Sequence, residues 1–228
     1  MTAAALGGDL ARLREAGWRG VNLTHPLKQV ALAHLDAASD AARAARSVNT
    51  VCFDDDAVRG ETTDGDGFLD LLRALEVEAD GRRVVLLGAG GAARSLALAL
   101  VGAGARVTAW ARRPEAADWA GIPGARLLPW AGAEADEALR EAELLVNATP
   151  IADDAGPLAI ERIPSRARIV DLVYGADPTP WVRAARAAGL VAVDGLGPLV
   201  FQARRSLERW TGRAVPIEPL AAAVGWPR

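Results

Sequence analysis

From Arg83 to Val193 the chain alternates short apolar runs with helical stretches, an order that few architectures accept. VVLLG is followed by ARSLALALVGAG, RVTAWA by a short helix, ARLL by a helix, ELLVNAT by a loop, and ARIVDLV by TPWVRAARAAG and then LVAV. Strands that are apolar throughout are buried on both faces, and the helices between them return as right-handed crossovers. The pattern therefore predicts an α/β unit built on a parallel sheet. Ahead of it, spacing predicts a helix over 3–16, a strand at Val21 to Leu23, helices near 27–37 and 39–46, and strands at 48–53 and 57–60. A helix then runs from Thr63-Asp64-Gly65 to about Leu75, and Glu78-Ala79-Asp80-Gly81 breaks the pattern as a linker. After Gly195 the chain returns to helix and is expected to pack back on the first segment. The predicted division is a discontinuous unit of 1–78 with 196–228 and a second unit of 79–195.

Within the alternating stretch, Val84-Val-Leu-Leu-Gly88-Ala-Gly90-Gly-Ala-Ala93-Arg is a strand followed at once by G-x-G-x-x-A and an apolar helix. That is the context a dinucleotide fingerprint needs. Gly88 permits the tight turn, Gly90 lets backbone approach a pyrophosphate, and Ala93 allows the helix to pack closely on the strand. The next strand selects the cofactor, because an acidic residue at its end would bind the ribose 2′-hydroxyl of NAD. Here Ala109-Trp-Ala111 is followed by Arg112-Arg113-Pro114, two guanidinium groups suited to a 2′-phosphate, so NADP is the expected cofactor.

Charge and composition narrow the partners. A formal net charge of −3 supplies no basic field for nucleic acid or an anionic membrane, which leaves a small-molecule substrate. With 51% hydrophobic residues the chain has ordinary globular composition, and no run is long and apolar enough to span a bilayer. The opening MTAAALGGDLARLREAG carries charges where a signal peptide needs an apolar run, so it reads as an amphipathic helix. Cys52 is the only cysteine; it rules out an internal disulfide and a cysteine-built zinc site and fits the cytoplasm. No metal is expected. Of 26 Lys and Arg residues only Lys28 is a lysine. Either one surface lysine survives by chance, or position 28 needs an amine that can lose its proton, which guanidinium does not do.

The remaining signals lie outside the nucleotide fingerprint: Asn22-Leu-Thr24-His-Pro26-Leu-Lys28, Ser47-Val-Asn49-Thr50, Gly60-Glu-Thr-Thr63-Asp64-Gly65-Asp-Gly67, Asp171-Leu-Val-Tyr174 and Asp194-Gly-Leu-Gly197-Pro-Leu-Val-Phe-Gln202. In that order they resemble the shikimate dehydrogenase family across nearly the whole chain. The resemblance implies a Rossmann-like parallel-sheet NADP-binding domain plus a smaller, shortened α/β substrate domain. Its N-V-T-x-P-x-K segment implies a catalytic role for Lys28, and its N-T-D-G segment implies Asp64 as the paired carboxylate. Thr24, Asn49, Thr63, Tyr174 and Gln202 become substrate-binding residues; for Tyr174, the only tyrosine, packing stays open as an alternative. Gly88, Gly90, Gly91, Ala92, Arg112, Arg113, Asn147, Thr149 and Gly195 become cofactor-binding residues. The implied activity is reversible, NADPH-dependent reduction of 3-dehydroshikimate to shikimate in chorismate and aromatic amino acid biosynthesis. Quinate or an aminated analogue is the nearest alternative substrate, and a non-catalytic NADP-binding regulatory module is the alternative of a different kind. The chemistry is consistent: as hydride reaches a ring ketone the forming alkoxide needs a proton, which a lysine can give.

Some positions carry other expectations. His25 reads as a packing or supporting residue, His34 as a helix residue, Cys52 as buried in a strand, and the seven tryptophans as core or contact residues. The sequence also departs from the family pattern. Only 19 residues precede Gly20, without the strand, helix and strand whose S-x-S segment binds the substrate carboxylate. Either the enzyme is naturally short, or the chain starts downstream of its natural start. The expectation is a carboxylate held by other residues and less tightly, beside an exposed sheet edge that favours a homodimer. Thr62 stands where the family has Asn before T-D-G, which weakens one further polar contact.

Overall fold

The computed structural model describes residues 1–54, 57–117, 119, 121–153 and 156–228. Helix α1 (Leu6–Glu15) leads to strand β1 (Gly20–Asn22), then α2 (Leu27–Val30), β2 (Ala37–Ala38), α3 (Asp40–Ala45), β3 (Thr50–Phe53), β4 (Val58–Glu61) and α4 (Asp64–Ala74). The alternating part follows as β5 (Arg83–Leu87), α5 (Gly91–Gly102), β6 (Arg106–Ala111), β7 (Arg126–Pro129), α6 (Ala133–Glu141), β8 (Leu144–Asn147), β9 (Arg168–Asp171), α7 (Pro180–Ala187) and β10 (Ala192–Val193). Helices α8 (Leu196–Thr211) and α9 (Ile217–Val224) complete the order, and short 3-10 turns lie at Ala3–Ala5, Ala31–His34, Pro114–Ala116 and Ile160–Arg162. No helix among the described residues is long and apolar enough to cross a membrane.

The six strands β5 to β10 form one parallel sheet in the order β10-β9-β8-β5-β6-β7. Strand order reverses between β5 and β8, the switch point at which open α/β sheets bind ligands. The apolar runs are explained by burial on both faces. Val84 and Leu86 of β5 join Leu96 and Leu100 of α5 in one cluster, while Val85 and Leu87 join Trp110, Leu139 and Trp181 in the other.

The smaller sheet has the order β1-β3-β4-β2, with β3 antiparallel to both β1 and β4 and β2 parallel to β4. Its core gathers Leu6 and Leu10 of α1 with Leu23, Val48, Val51, Phe53 and Val58. Strand β1 lies at an edge, so one side of it has no strand partner among the described residues.

Three expectations need correction. The helix expected over 27–37 ends at Val30 and a 3-10 turn, and Ala37–Ala38 is a strand. Asp36 and Ser39 donate their backbone N–H groups to the carbonyls of Val58 and Gly60 at 3.0 and 2.9 Å, so pairing with β4 overrides the helix preference of alanine. Trp18 is 57% exposed rather than a core residue, and Cys52 is half-buried rather than buried.

Helices α4 and α8 pack on each other and serve both sheets. Phe68, Leu71 and Leu72 of α4 and Phe201 of α8 belong to the core of the six-stranded sheet, while Asp64 at the start of α4 and Gln202 midway along α8 reach Asn49 beside the small sheet. Their approach depends on Gly67: a Cβ there would lie 2.6 Å from the backbone nitrogen of Gln202 and 2.7 Å from its Cα. Gly67→Ala should therefore force the helices apart and lower the unfolding free energy by about 1–3 kcal/mol. Gly102→Ala, whose Cβ meets nothing within 4 Å, is the control. Urea titration of both variants checks this; equal midpoints would contradict the contact.

Candidate active site

Lys28, Asn49, Thr63, Asp64 and Gln202 come together although 174 positions separate the first from the last. Lys28 Nζ donates to Asp64 Oδ2 at 2.7 Å, with side-chain exposures of 20% and 9%. Helix α2 begins where the Leu27 and Lys28 N–H groups bond to the carbonyl of Thr24, and the Lys28 carbonyl accepts from Val48 N at 2.8 Å. The lysine backbone is thus fixed against the segment before β3 that carries Asn49. Thr24 itself is exposed at the rim, and His25, expected to pack or support the site, is also exposed.

Asn49 is the hub. Its Nδ2 lies 2.8 Å from Gln202 Oε1 and 2.9 Å from both Thr63 Oγ1 and Asp64 Oδ1. Two amide hydrogens are shared among three acceptors. Asn49 Oδ1 accepts from Thr63 N at 2.7 Å, which fixes the amide orientation. Beneath it lies a buried hydroxyl cluster that the sequence reading missed. Ser206 Oγ is 2.8 Å from Thr50 Oγ1 and 3.1 Å from Thr63 Oγ1, and it accepts from Asn22 Nδ2 at 2.8 Å. The available signal was helical spacing: Ser206 lies four residues after Gln202, on the same face of α8. Thr62 retains a polar contact, to Ser95 Oγ of α5 at 2.8 Å.

The nucleotide elements face this cluster. Gly88 takes φ +113° at the end of β5, and a Cβ on Gly90 would meet nothing within 4 Å, leaving the start of α5 open to a pyrophosphate. Gly91 and Ala92 begin that helix, and Arg94 Nε reaches back to the Ala45 carbonyl at 2.6 Å. Gln29, next to Lys28, and Ala89 of the glycine-rich turn share a hollow of about 440 Å³. Arg112 and Arg113 are exposed just after β6, with no ion-pair partner among the described residues. These features fit NADP: an open helix start for the diphosphate, and two guanidinium groups in place of an acidic residue.

Asn147 stands apart from the other predicted cofactor residues. It is fully buried, donating to Ile151 O and Asp171 Oδ1 and accepting from Thr149 N and Oγ1, so it shapes the 147–151 turn while Thr149 stays half-buried. Gly195 is buried against the Val173 carbonyl, and Tyr174 is 54% exposed on the loop after β9. Asp171, at the end of β9, has no exposed surface and accepts from Thr179 Oγ1, Val173 N and Asn147 Nδ2. Burial pushes its carboxyl above the ordinary value of 3.8, these three hydrogen bonds oppose the rise, and the nearby Asp194 charge adds to it.

Comparison with known proteins bears on this arrangement. Residues 1–51 match the model of the shikimate dehydrogenase substrate binding domain, and residues 195–224 that of the shikimate 5′-dehydrogenase C-terminal domain. The chain is 43% identical over 212 residues to a shikimate dehydrogenase (NADP(+)) of Thermus thermophilus, covering 91% of this chain and 78% of that protein. The crystal structure of shikimate 5-dehydrogenase from Thermus thermophilus in complex with NADP(H) and shikimate superposes with a TM-score of 0.87 at 39% identity, over 99% of this chain and 85% of that one. The ligand-free 5-ketofructose reductase of a Gluconobacter strain superposes with a TM-score of 0.84 at 30% identity, over 99% and 84%.

Because the folded state raises the Asp171 pKa, it binds that proton more tightly than the unfolded chain. The resulting stabilisation is fully present below about pH 3.8 and is lost as pH rises through the folded value. The unfolding free energy of the unaltered protein minus that of Asp171→Asn should therefore fall as pH rises above this point. A difference that stays flat or climbs with pH in urea titrations would contradict the burial argument.

Proposed function

This chain belongs to the shikimate dehydrogenase family, and we propose that it is an NADP-dependent dehydrogenase that interconverts 3-dehydroshikimate and shikimate on the route to aromatic amino acids. The observation that carries the reading is the Lys28–Asp64 pair, 2.7 Å apart, with the adjacent Gln29 sharing a hollow with Ala89 of the glycine-rich turn. NADP, when bound, supplies or accepts the hydride. Lys28 Nζ gives the proton to the ring oxygen during reduction and takes it back during oxidation. Asp64 holds that ammonium by one oxygen while its other oxygen faces Asn49. Asn49, Thr63, Thr24 and Gln202 orient the ring hydroxyls, and Tyr174 closes the nicotinamide end. The open start of α5 with Gly88, Gly90, Gly91 and Ala92 takes the diphosphate, Thr149 and Gly195 border the nucleotide, and Asn147 positions Thr149. Arg112 and Arg113 take the 2′-phosphate by charge-assisted hydrogen bonds.

We assign the substrate unit to 1–78 with 196–228 and the nucleotide unit to 79–195, with α4 and α8 as the wall that both share. We place the protein in the cytoplasm. Its single thiol, Cys52, suits a reducing compartment, and burial first, with the Glu61 and Asp54 charges, pushes that thiol up to about 11, keeping it protonated. The open edge of β1 and the exposed Trp18 near it are the features by which two copies would associate as a homodimer.

The test is NADP reduction by the purified protein with shikimate, quinate, an aminated analogue and fructose, the alcohol formed by reducing 5-ketofructose, as a panel. Shikimate should give the highest kcat/KM; a higher value for another member would overturn the substrate assignment. Lys28→Ala should lower kcat about 100–10,000-fold with NADP affinity nearly unchanged. Lys28→Arg keeps the charge without a proton it readily gives up, so near-normal turnover across pH in that variant would exclude proton transfer by this residue. Replacing Arg112 and Arg113 by Ala should raise the KM for NADP roughly tenfold or more and leave that for NAD little changed. Equal kinetics with NADP and NAD in the unaltered protein would contradict the role of the two arginines.

A further inference from the structure

The loop after β9 and the turn between β10 and α8 meet behind Tyr174, and one side chain ties them together. Asp194 is 1% exposed; its Oδ1 accepts from Leu196 N at 3.0 Å, capping the start of α8, and its Oδ2 accepts from Arg228 Nε at 2.7 Å. The same guanidinium donates through its other nitrogens to the carbonyls of Gly175, at 3.1 Å, and Ala176. Arg228 is delivered by an anchored segment, for Trp226 packs edge-on against Phe201 of α8 with ring centroids 5.5 Å apart. Tyr174, with more than half its surface exposed, takes little direction from packing and inherits its position from the backbone around it.

We infer that Arg228 is a positioning residue: it fixes the backbone at Gly175 and Ala176 to the buried Asp194 and so sets the position of Tyr174, read above as a residue of the site. The fork geometry of guanidinium is what makes this possible. A planar group bonds a carboxylate and two carbonyls at fixed angles, whereas an ammonium in its place can satisfy Asp194 but does not hold both carbonyls in that geometry. The inference rests on the dehydrogenase reading above for its catalytic consequence and on the hydrogen bonds alone for the clamp.

Arg228→Lys separates the clamp from stability, because it leaves a cation beside the buried Asp194. In that variant the melting temperature and the affinity for 2′,5′-ADP, which lacks the nicotinamide, should stay near those of the unaltered protein. Amide hydrogens of residues 174–177 should exchange faster, and kcat/KM with shikimate should fall roughly tenfold to a hundredfold, the scale expected for a small misplacement of a site group. Adding Tyr174→Phe should cost less in the Arg228→Lys background than in the unaltered one, since the clamp acts through Tyr174. Unchanged exchange in Arg228→Lys would overturn the clamp whatever the substrate. Faster exchange with normal turnover, or effects of the two substitutions that multiply independently, would overturn its role in aiming Tyr174. Failure of the unaltered protein to use shikimate would count against the functional reading, which the exchange measurement does not depend on.

Discussion

Helix α4 comes so close to α8 that the backbone at Gln202 occupies the space a side chain on Gly67 would need, and the site depends on that contact. The apolar sides of both helices are buried with the core of the six-stranded sheet, through Phe68, Leu71, Leu72 and Phe201. Asp64 at the start of α4 and Gln202 midway along α8 are then held at a fixed separation, both reaching Asn49 of the segment before β3. One packed wall thus joins the core of the six-stranded sheet to the polar cluster beside the small sheet. Because packed interiors deform little, side chains from four distant parts of the sequence keep hydrogen-bond distance.

The polar cluster has its own logic. A lysine and an aspartate taken partly out of water are compensated by each other, and the remaining oxygen of Asp64 is satisfied by the Asn49 amide. Below them Ser206, Thr50 and Thr63 pass hydrogen bonds among hydroxyls that have almost no exposed surface. Such a network resists local change, since removing one member leaves a neighbour buried without a partner. The same reasoning applies to Asp171 and Asp194, each buried at a strand end and held by three and two donors respectively.

The parallel sheet was legible in the sequence because strands buried on both faces leave unbroken apolar runs, and the glycine-rich turn announces itself by chemistry that no other residue supplies. Ala37–Ala38 was not, since two alanines carry no strand signal and their pairing with β4 is set by Asp36 and Ser39. The approach of Lys28 to Asp64, 36 positions apart, follows from no periodicity; only the ordered resemblance of separate segments to one family pointed to it. Arg228 was invisible for a related reason, since its partner Asp194 lies 34 positions away, and Ser206 was marked only by its helical spacing from Gln202 while its partner Thr50 lies 156 positions away. Trp18 shows the converse limit, since a large apolar residue near the edge of a small sheet has the composition of a core residue without its surroundings.

The most direct test of the proposed chemistry is a crystal structure of this protein with NADP and shikimate bound together. The ring hydroxyl that is oxidised should lie within hydrogen-bond reach, about 2.6–3.2 Å, of Lys28 Nζ or Asp64, on the side of the ring facing the nicotinamide. A substrate ring bound with that hydroxyl turned away from both residues, or a nicotinamide that does not face the Lys28–Asp64 pair, would contradict it.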